Sequence, residues 1–270
     1  MFNFFGTKQH DQATAPPQPF PLPDVPDFAR QGIADEATIA RELNEGPPLT
    51  IYSGNDAVPV TLSVRMGLYH SPEIRIHLEQ YAPRMPYTMQ LPEDNKEALK
   101  YLVQWMQTGK IVIPALQEEQ DIISRQILTE ACFLLWRLWC ICESLDVNKI
   151  RQQILQQMTE CFAIARMSRI ATPVSAELIM EETREYTDDK ELECEELDHC
   201  DFWKVSLQEL CKAFTTKPIT DIKEYRHCFA IAAFNKVLVP VVGRILRMDS
   251  GVEEIDEGRW GRGDPMKAPS

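Results

Sequence analysis

The residues best suited to chemistry are the cysteines and histidines that follow position 190, because thiolates and imidazoles are the ligands that zinc prefers. The candidates for such a site are Cys194, His199, Cys200 and Cys211. Cys194 and Cys200 are separated by five residues, whereas structural zinc sites usually combine two tight pairs such as C-x2-C. The candidates contain no second tight pair, so we expect neither a metal nor another cofactor. A metal-binding or redox enzyme built on the C-terminal half stays open as an alternative.

Nucleophilic catalysis is the second chemistry to consider, and it needs a serine or cysteine, a base and a group that orients the base. The chain has 5 histidines, and none lies in a recognisable nucleophile motif. The sequence also contains no G-x-S-x-G, no P-loop and no G-x-G-x-x-G motif. Cys140 and Cys142 are two positions apart on a predicted helix, where side chains diverge. We therefore predict that the chain is not an enzyme.

Carboxylates are concentrated between residues 181 and 201, where 11 acidic residues accompany only two basic ones. A pair of carboxylates can act as acid and base only where the surroundings separate their pKa values. Nothing in this segment indicates the apolar burial that this would require. We expect a solvated and flexible segment, as is usual for such a charge block.

The overall charge limits the class of partner. The chain has 270 residues, a formal net charge of −13 and an isoelectric point of about 4.9. Duplex nucleic acid and anionic membranes would repel such a surface, and no dense Lys/Arg cluster offsets the mean charge. The apolar runs Ala131 to Cys142 and Cys228 to Leu246 are too short or too interrupted by charges and proline to span a membrane. We expect other proteins as partners, with neither nucleic acid nor a membrane.

The cysteines also bear on the compartment. Most of the 8 cysteines lie in apolar stretches, where a free cysteine behaves as a small hydrophobe. The N-terminal residues do not have the pattern of a secretory signal. Both features favour a reducing environment, so we expect the protein in the cytoplasm, the nucleus or both.

The elements that would position these residues follow a proline-rich leader, residues 1–46, which we expect to be disordered because its prolines favour an extended chain and break helices. Within the leader, Asp35 can cap a short helix. Leu49 to Val64 alternates in hydrophobicity around turn residues, which predicts a β-hairpin. Ser71 is suited to cap the next helix, with Pro72 at its first position.

Further elements are predicted downstream. They are a strand from Tyr87 to Leu91, a helix with a buried stripe at Leu99, Leu102, Val103 and Met106, a left-handed cap at Gly109, a brief strand from Ile111 to Ile113, a helix over 121–146 and a helix after Asp146. The stripes follow the helical period of 3.6. Residues 203–214 and 219–246 are also predicted to be helical.

The order of elements across residues 48–165 resembles the BTB/POZ fold, and three motifs resemble those of the family. Ser71-Pro72-Glu73-Ile74 resembles the S-P-x-F step, Leu91 to Lys110 resembles the L-P-E-D…W-x-Y-T-G-x-I helix in the style of fungal members, and Leu135 to Leu145 resembles the L-x-x-L-y-x-L-A-d-k-L helix. The resemblance implies an α+β fold, a small mixed sheet with a cluster of α-helices, followed by a mainly helical C-terminal region.

The predicted organisation therefore has four parts. They are the leader over 1–46, a BTB/POZ-like domain over 48–165, a helical C-terminal region over 175–248 that begins with the acidic segment, and a flexible tail over 249–270.

The resemblance does not fix the oligomeric state. The family often has an acidic residue before its first strand and a His-Lys pair after its second, near the homodimer interface. Here Pro48 or Leu49 and Ser63-Val64 occupy those places.

The function that the resemblance implies is that of a protein–protein interaction adaptor. Some families with this fold recruit cullin-type ubiquitin ligase scaffolds, and the partner here could be such a scaffold or the protein itself. The residues expected on the interaction surface are Gln107, Lys110, Gln117, Asn148 and Arg151. An oligomerisation scaffold without any link to a ligase is the alternative within the same class.

Overall fold

The computed structural model describes most of the chain between residues 22 and 239. The described residues are 22–54, 59–81, 87–91, 96–113, 116, 123–187, 200–215, 222–228, 231, 234, 236, 238 and 239. They form a small three-stranded sheet together with helices, which confirms the α+β class. The chain divides into two compact units. Unit 1 comprises Met1–Gln117 and Phe133–Met158, and unit 2 comprises Glu118–Cys132 and Thr159–Ser270. The predicted boundaries at 165 and 175 stay predictions.

The sheet of unit 1 contains β1 (Pro48–Ser53), β2 (Val60–Ser63) and β3 (Tyr87–Leu91) in the order β2-β1-β3. β1 is antiparallel to β2 and parallel to β3, which makes the sheet mixed. Alternate residues of β1 and β3 are buried, as expected for strands with one face on a core. The predicted hairpin and the strand at Tyr87 are confirmed. The strand predicted from Ile111 to Ile113 is wrong, because these residues join no strand although both isoleucines are buried.

Five helices of unit 1 precede or follow these strands. They are α1 (Phe28–Gln31), α2 (Glu36–Asn44), α3 (Val64–His70), α4 (Pro72–Tyr81) and α5 (Lys96–Thr108). The capping role predicted for Asp35 is confirmed, since its carboxylate accepts from the amide of Thr38 at 2.9 Å. Phe28 and Leu43 are buried. The short helix predicted within the leader is confirmed, whereas the expectation of a poorly ordered chain is wrong for residues 22–46, where Phe28 and Leu43 anchor two helices in the core. Residues 1–21 lie outside the described part of the chain.

Helix α3 was not predicted from the sequence. The hydroxyl of Ser63 caps it by accepting from the amide of Met66 at 3.1 Å, and it donates to the carbonyl oxygen of Leu43. Gly67 allows close packing of α3, since a Cβ atom there would lie 3.1 Å from Ile74 Cγ2 and 3.2 Å from Leu49 Cδ2. The short helix therefore packs closely against α4 and β1 at Gly67, where a larger side chain would be crowded.

Helix α4 begins as the sequence predicts. The hydroxyl of Ser71 accepts from the amide of Ile74 at 3.0 Å, and it donates to the carbonyl oxygen of Leu145 at 2.5 Å. One buried side chain thus satisfies the first turn of α4 and a carbonyl at the end of a distant helix.

Two long helices follow, α6 (Arg125–Ser144) and α7 (Arg151–Met167), with a short 3-10 helix (Asn148–Ile150) between them. Two residues after the end of each helix lies a residue in the left-handed conformation, Asp146 at φ 50° and Arg169 at φ 54°. At each end the following amide bonds back to the helix, as in a Schellman motif. The helix predicted after Asp146 is confirmed, and its apolar residues recur at helical spacing. Those residues are Ile150, Ile154, Met158, Phe162 and Ala165, and all of them are buried.

Unit 2 also contains α8 (Ala176–Thr187), α9 (Asp201–Thr215) and a 3-10 helix (Ile222–Tyr225). The helix predicted over 203–214 is confirmed, whereas residues 219–246 are described only in part. The acidic segment is not wholly solvated, because α8 extends through its start and Glu182 is fully buried. Residues 188–199 lie outside the described part. Across the described helices, none combines the length and hydropathy that crossing a bilayer requires.

Candidate interaction surface

The C-terminal end of α5 holds two of the predicted surface residues. Trp105 and Met106 are buried, whereas Gln107 and Lys110 are exposed. Gly109 terminates the helix at φ 69°, a left-handed conformation that favours glycine, and its amide donates to the carbonyl oxygen of Trp105 at 2.7 Å. The chain leaves the helix at this cap, and Lys110, the next residue, is exposed to solvent.

Two more of the predicted surface residues lie in the 3-10 helix and in the first turn of α7. Asn148 is exposed, and its amide donates to a carboxylate oxygen of Asp146 at 2.6 Å. Arg151 is 30% exposed; its guanidinium lies 5.3 Å from the centre of the Trp139 ring and 3.9 Å from a carboxylate oxygen of Glu143. Asn148 is thus more available to a partner than Arg151. Gln117, the fifth predicted residue, lies outside the described residues.

A hydrogen bond brings these two segments together. The side-chain amide of Gln153 donates to the carbonyl oxygen of Gly109 at 3.0 Å, linking α7 to the end of α5. Gln107, Lys110, Asn148 and Arg151 each lie within a few residues of this bond along the chain. We call these four residues the α5–α7 surface.

A row of rings supports the same region of unit 1. Phe28 meets Tyr69 edge to face with 5.6 Å between ring centres, Tyr69 meets His70 at 4.9 Å, and His70 meets Trp105 at 5.1 Å. Such edge-to-face pairs add about 0.5–1.5 kcal/mol each beyond the area that they bury. The ammonium group of Lys149 lies 5.0 Å from the centre of the Tyr69 ring, within the range of a cation–π contact. The rings therefore connect α1, α3 and α5 to the 3-10 helix that precedes α7.

His70 is the titratable group inside this row. Burial lowers its pKa from 6.5 to about 4, and the nearby charge of Lys149 acts in the same direction. Its Nδ1 atom is buried and has no hydrogen-bond partner among the described residues. The imidazole is consequently neutral at pH 7 and serves as a packed ring.

The zinc candidates are only partly described. Cys200 is buried and Cys211 half-buried, while Cys194 and His199 lie outside the described residues. Within the described ranges, no three His, Cys, Asp or Glu side chains are grouped so that they could hold a metal ion. The described cysteines are free thiols, and all of them except Cys211 are buried. Burial raises the pKa of Cys228 to about 11, which disfavours the reactive thiolate.

The sequence interpretation missed several residues that organise this surface. They are Tyr69, His70, Lys149 and Gln153. Tyr69 and His70 belong to α3, which was not predicted, and a lone glutamine on a predicted helix gives no signal of a tertiary hydrogen bond. A Lys next to the expected Asn148 could have been noticed as a second exposed polar residue on the same turn.

Neither a protein-family model, nor a curated protein, nor a solved structure matches this chain.

Proposed function

We propose that the chain is a protein–protein interaction adaptor whose residues 48–165 form a BTB/POZ-like domain. Several features support this proposal. The Ser71 cap and the buried Trp105 helix agree with two of the three motifs, and the sheet with one antiparallel and one parallel pairing agrees with the small mixed sheet that the resemblance implies. These features concern the fold, and the functional part of the proposal rests on the α5–α7 surface.

The observation that supports the function best is the Gln153–Gly109 hydrogen bond, because it joins the segments that contain Gln107, Lys110, Asn148 and Arg151. Exposed polar groups on backbone segments that are held together in this way lose little conformational freedom when a partner binds. The ring row beneath them fixes the backbone at the end of α5. A preorganised polar surface of this kind is suited to recognition of another folded protein.

The partner that we propose is a cullin-type ubiquitin ligase scaffold, with the protein acting in the cytoplasm or nucleus. Purified full-length chain and a purified cullin scaffold would be mixed and run on a size-exclusion column. We expect them to co-elute. Separate elution of a folded chain, checked by circular dichroism, would contradict the ligase link.

Self-association without a ligase is the second candidate in the same class. It is favoured by the sheet, in which β2 and β3 each have one strand neighbour among the described residues. A sheet edge is a ready template for pairing with another chain. Light scattering on the full chain distinguishes the candidates, since a scaffold must form a defined oligomer and a strict monomer would exclude it.

A metal-dependent enzyme on the C-terminal half is the remaining alternative. Elemental analysis of the purified full chain tests it directly. Stoichiometric zinc would favour that alternative over the adaptor.

A further inference from the structure

A carboxyl group lies buried between two helices of unit 2. Glu182 of α8 has no exposed surface, and one of its oxygens accepts from the hydroxyl of Ser206 on α9 at 2.8 Å. Its Oε2 atom is buried without a hydrogen-bond partner among the described residues. Burying a charged carboxylate is expensive unless a cation or several donors compensate it. One neutral hydroxyl does not supply that compensation.

Among the described residues, no cationic side chain bonds to Glu182. On α9, Glu209 is almost fully buried and is paired with Arg166 of α7, so that guanidinium is already engaged. Glu181 precedes Glu182 on its own helix and disfavours a second negative charge.

Two buried thiols complete the surroundings. Cys132 of α6, which lies near Glu182 and Glu209, is hydrogen-bonded to Cys161 of α7, and this contact and burial raise the pKa of Cys132. Neither thiol can neutralise a carboxylate. Each described group that faces Glu182 is therefore neutral, acidic or already paired.

We propose that the carboxyl group of Glu182 is a pH-sensitive latch, which in its protonated form holds α8 against α9 and on losing its proton loosens that packing. The neutral acid keeps its bond from Ser206 and leaves no charge in the core. The carboxylate gains solvation only if α8 moves away from α9. This latch lies in unit 2 and does not depend on the adaptor function.

The sign of the pH effect follows from the same groups. Burial raises the pKa of Glu182 well above 4.5, with Glu181 adding to the effect and the Ser206 hydrogen bond opposing it. The folded state therefore holds a proton that the unfolded chain has released. The stabilisation is complete below the ordinary glutamate pKa and declines as the pH rises toward the folded-state value. Over that window the unfolding equilibrium constant should increase about tenfold per pH unit.

The test compares the full chain with Glu182→Gln and with the matched control Glu181→Gln on the same helix. Thermal unfolding would be followed from about pH 5 to about pH 9, a range above the ordinary glutamate pKa. We expect Glu182→Gln to remove the tenfold increase of the unfolding equilibrium constant per pH unit. At about pH 9 this variant should also unfold at a higher temperature than wild type. Glu181→Gln should keep the pH-dependent increase. Equal pH dependence in wild type and Glu182→Gln would overturn the proposal.

Two further measurements keep the proposal falsifiable if Glu182→Gln does not fold. In wild type, infrared spectroscopy over the same pH range should detect the carbonyl stretch of a protonated carboxylic acid at a pH above the ordinary glutamate pKa, and its absence throughout would overturn the proposal. Amide hydrogen exchange should become faster in α8 than in α5 as the pH rises, after correction for base catalysis. Equal acceleration in both helices would argue against a local latch.

Discussion

At the scale of single residues, His70 shows how a polar side chain becomes part of a core. Its ring lies between Tyr69 and Trp105, where burial and the charge of Lys149 oppose protonation. The same row of rings supports the end of α5 and so the α5–α7 surface. Protonation of His70 should therefore weaken the unit whose surface we propose to bind a partner.

The pH dependence of stability tests this role. Because the pKa of His70 falls from 6.5 to about 4 on folding, unfolding takes up a proton, and the stabilisation is present above pH 6.5 and is lost as the pH falls toward 4. We expect a loss on the order of 3 kcal/mol across that window. Denaturant unfolding at several pH values measures it in wild type, in His70→Phe and in the control His77→Gln. His70→Phe should lack this loss and His77→Gln should retain it; the reverse pattern would contradict the assignment.

The buried residues of α5 and α7 could be predicted, whereas His70 could not. Leu99, Leu102 and Met106 recur at the helical period, so a buried stripe follows from spacing alone. Helix α3 has 7 residues, too few to establish a period, and contains a glycine and a β-branched residue that disfavour a helix. Its helical form depends on packing against Leu49 and Ile74, which are tertiary contacts, in addition to the local Ser63 cap.

At the scale of elements, helix ends connect parts of unit 1 that are distant in sequence. The sequence predicts Ser71 as a cap from local chemistry. It does not predict the bond from Ser71 to Leu145, because the two residues are 74 positions apart. The hydroxyl therefore stabilises both the start of α4 and the end of α6.

Replacing Ser71 with alanine should be costly for this reason. Loss of the cap costs about 1 kcal/mol, and the buried carbonyl of Leu145 would lose a donor worth about 1–3 kcal/mol. We expect Ser71→Ala to lower the free energy of unfolding by about 2–4 kcal/mol, measured by denaturant titration. The control is Ser144→Ala, whose hydroxyl bonds only within α6 to the carbonyl oxygen of Cys140. If both variants lost the same free energy, the tertiary role of Ser71 would be refuted.

Two predictions about elements, the strand from Ile111 to Ile113 and the fully solvated acidic segment, were wrong for physical reasons. Ile111 and Ile113 alternate as in a strand, but alternation reports burial of side chains and not the presence of a neighbouring strand. The acidic segment was expected to be solvated from its charge density, yet Glu182 is buried at a position of α8 that packs on α9. Mean charge does not reveal which single carboxyl enters a core.

At the scale of the whole chain, the α+β class follows from the sequence because strand and helix periods were clear over most elements. The α5–α7 surface was predicted only in outline. Gln107 and Lys110 precede Asn148 and Arg151 by about forty residues, and their segments meet only in the folded structure, through the Gln153–Gly109 bond and the contact of Lys149 with the ring row. That such a surface binds a partner in a chain with net charge −13 is the central claim.

The measurement that tests this claim most directly is the dissociation constant of the full chain for a purified cullin scaffold, by isothermal titration calorimetry. Wild type would be compared with Lys110→Glu on the α5–α7 surface and with Lys100→Glu, an exposed lysine of α5 whose ion pair with Glu97 is worth little. We predict that Lys110→Glu weakens binding by about tenfold or more, whereas Lys100→Glu changes it by about twofold or less. Equal dissociation constants for the three proteins, or no binding by folded wild type, would contradict the account.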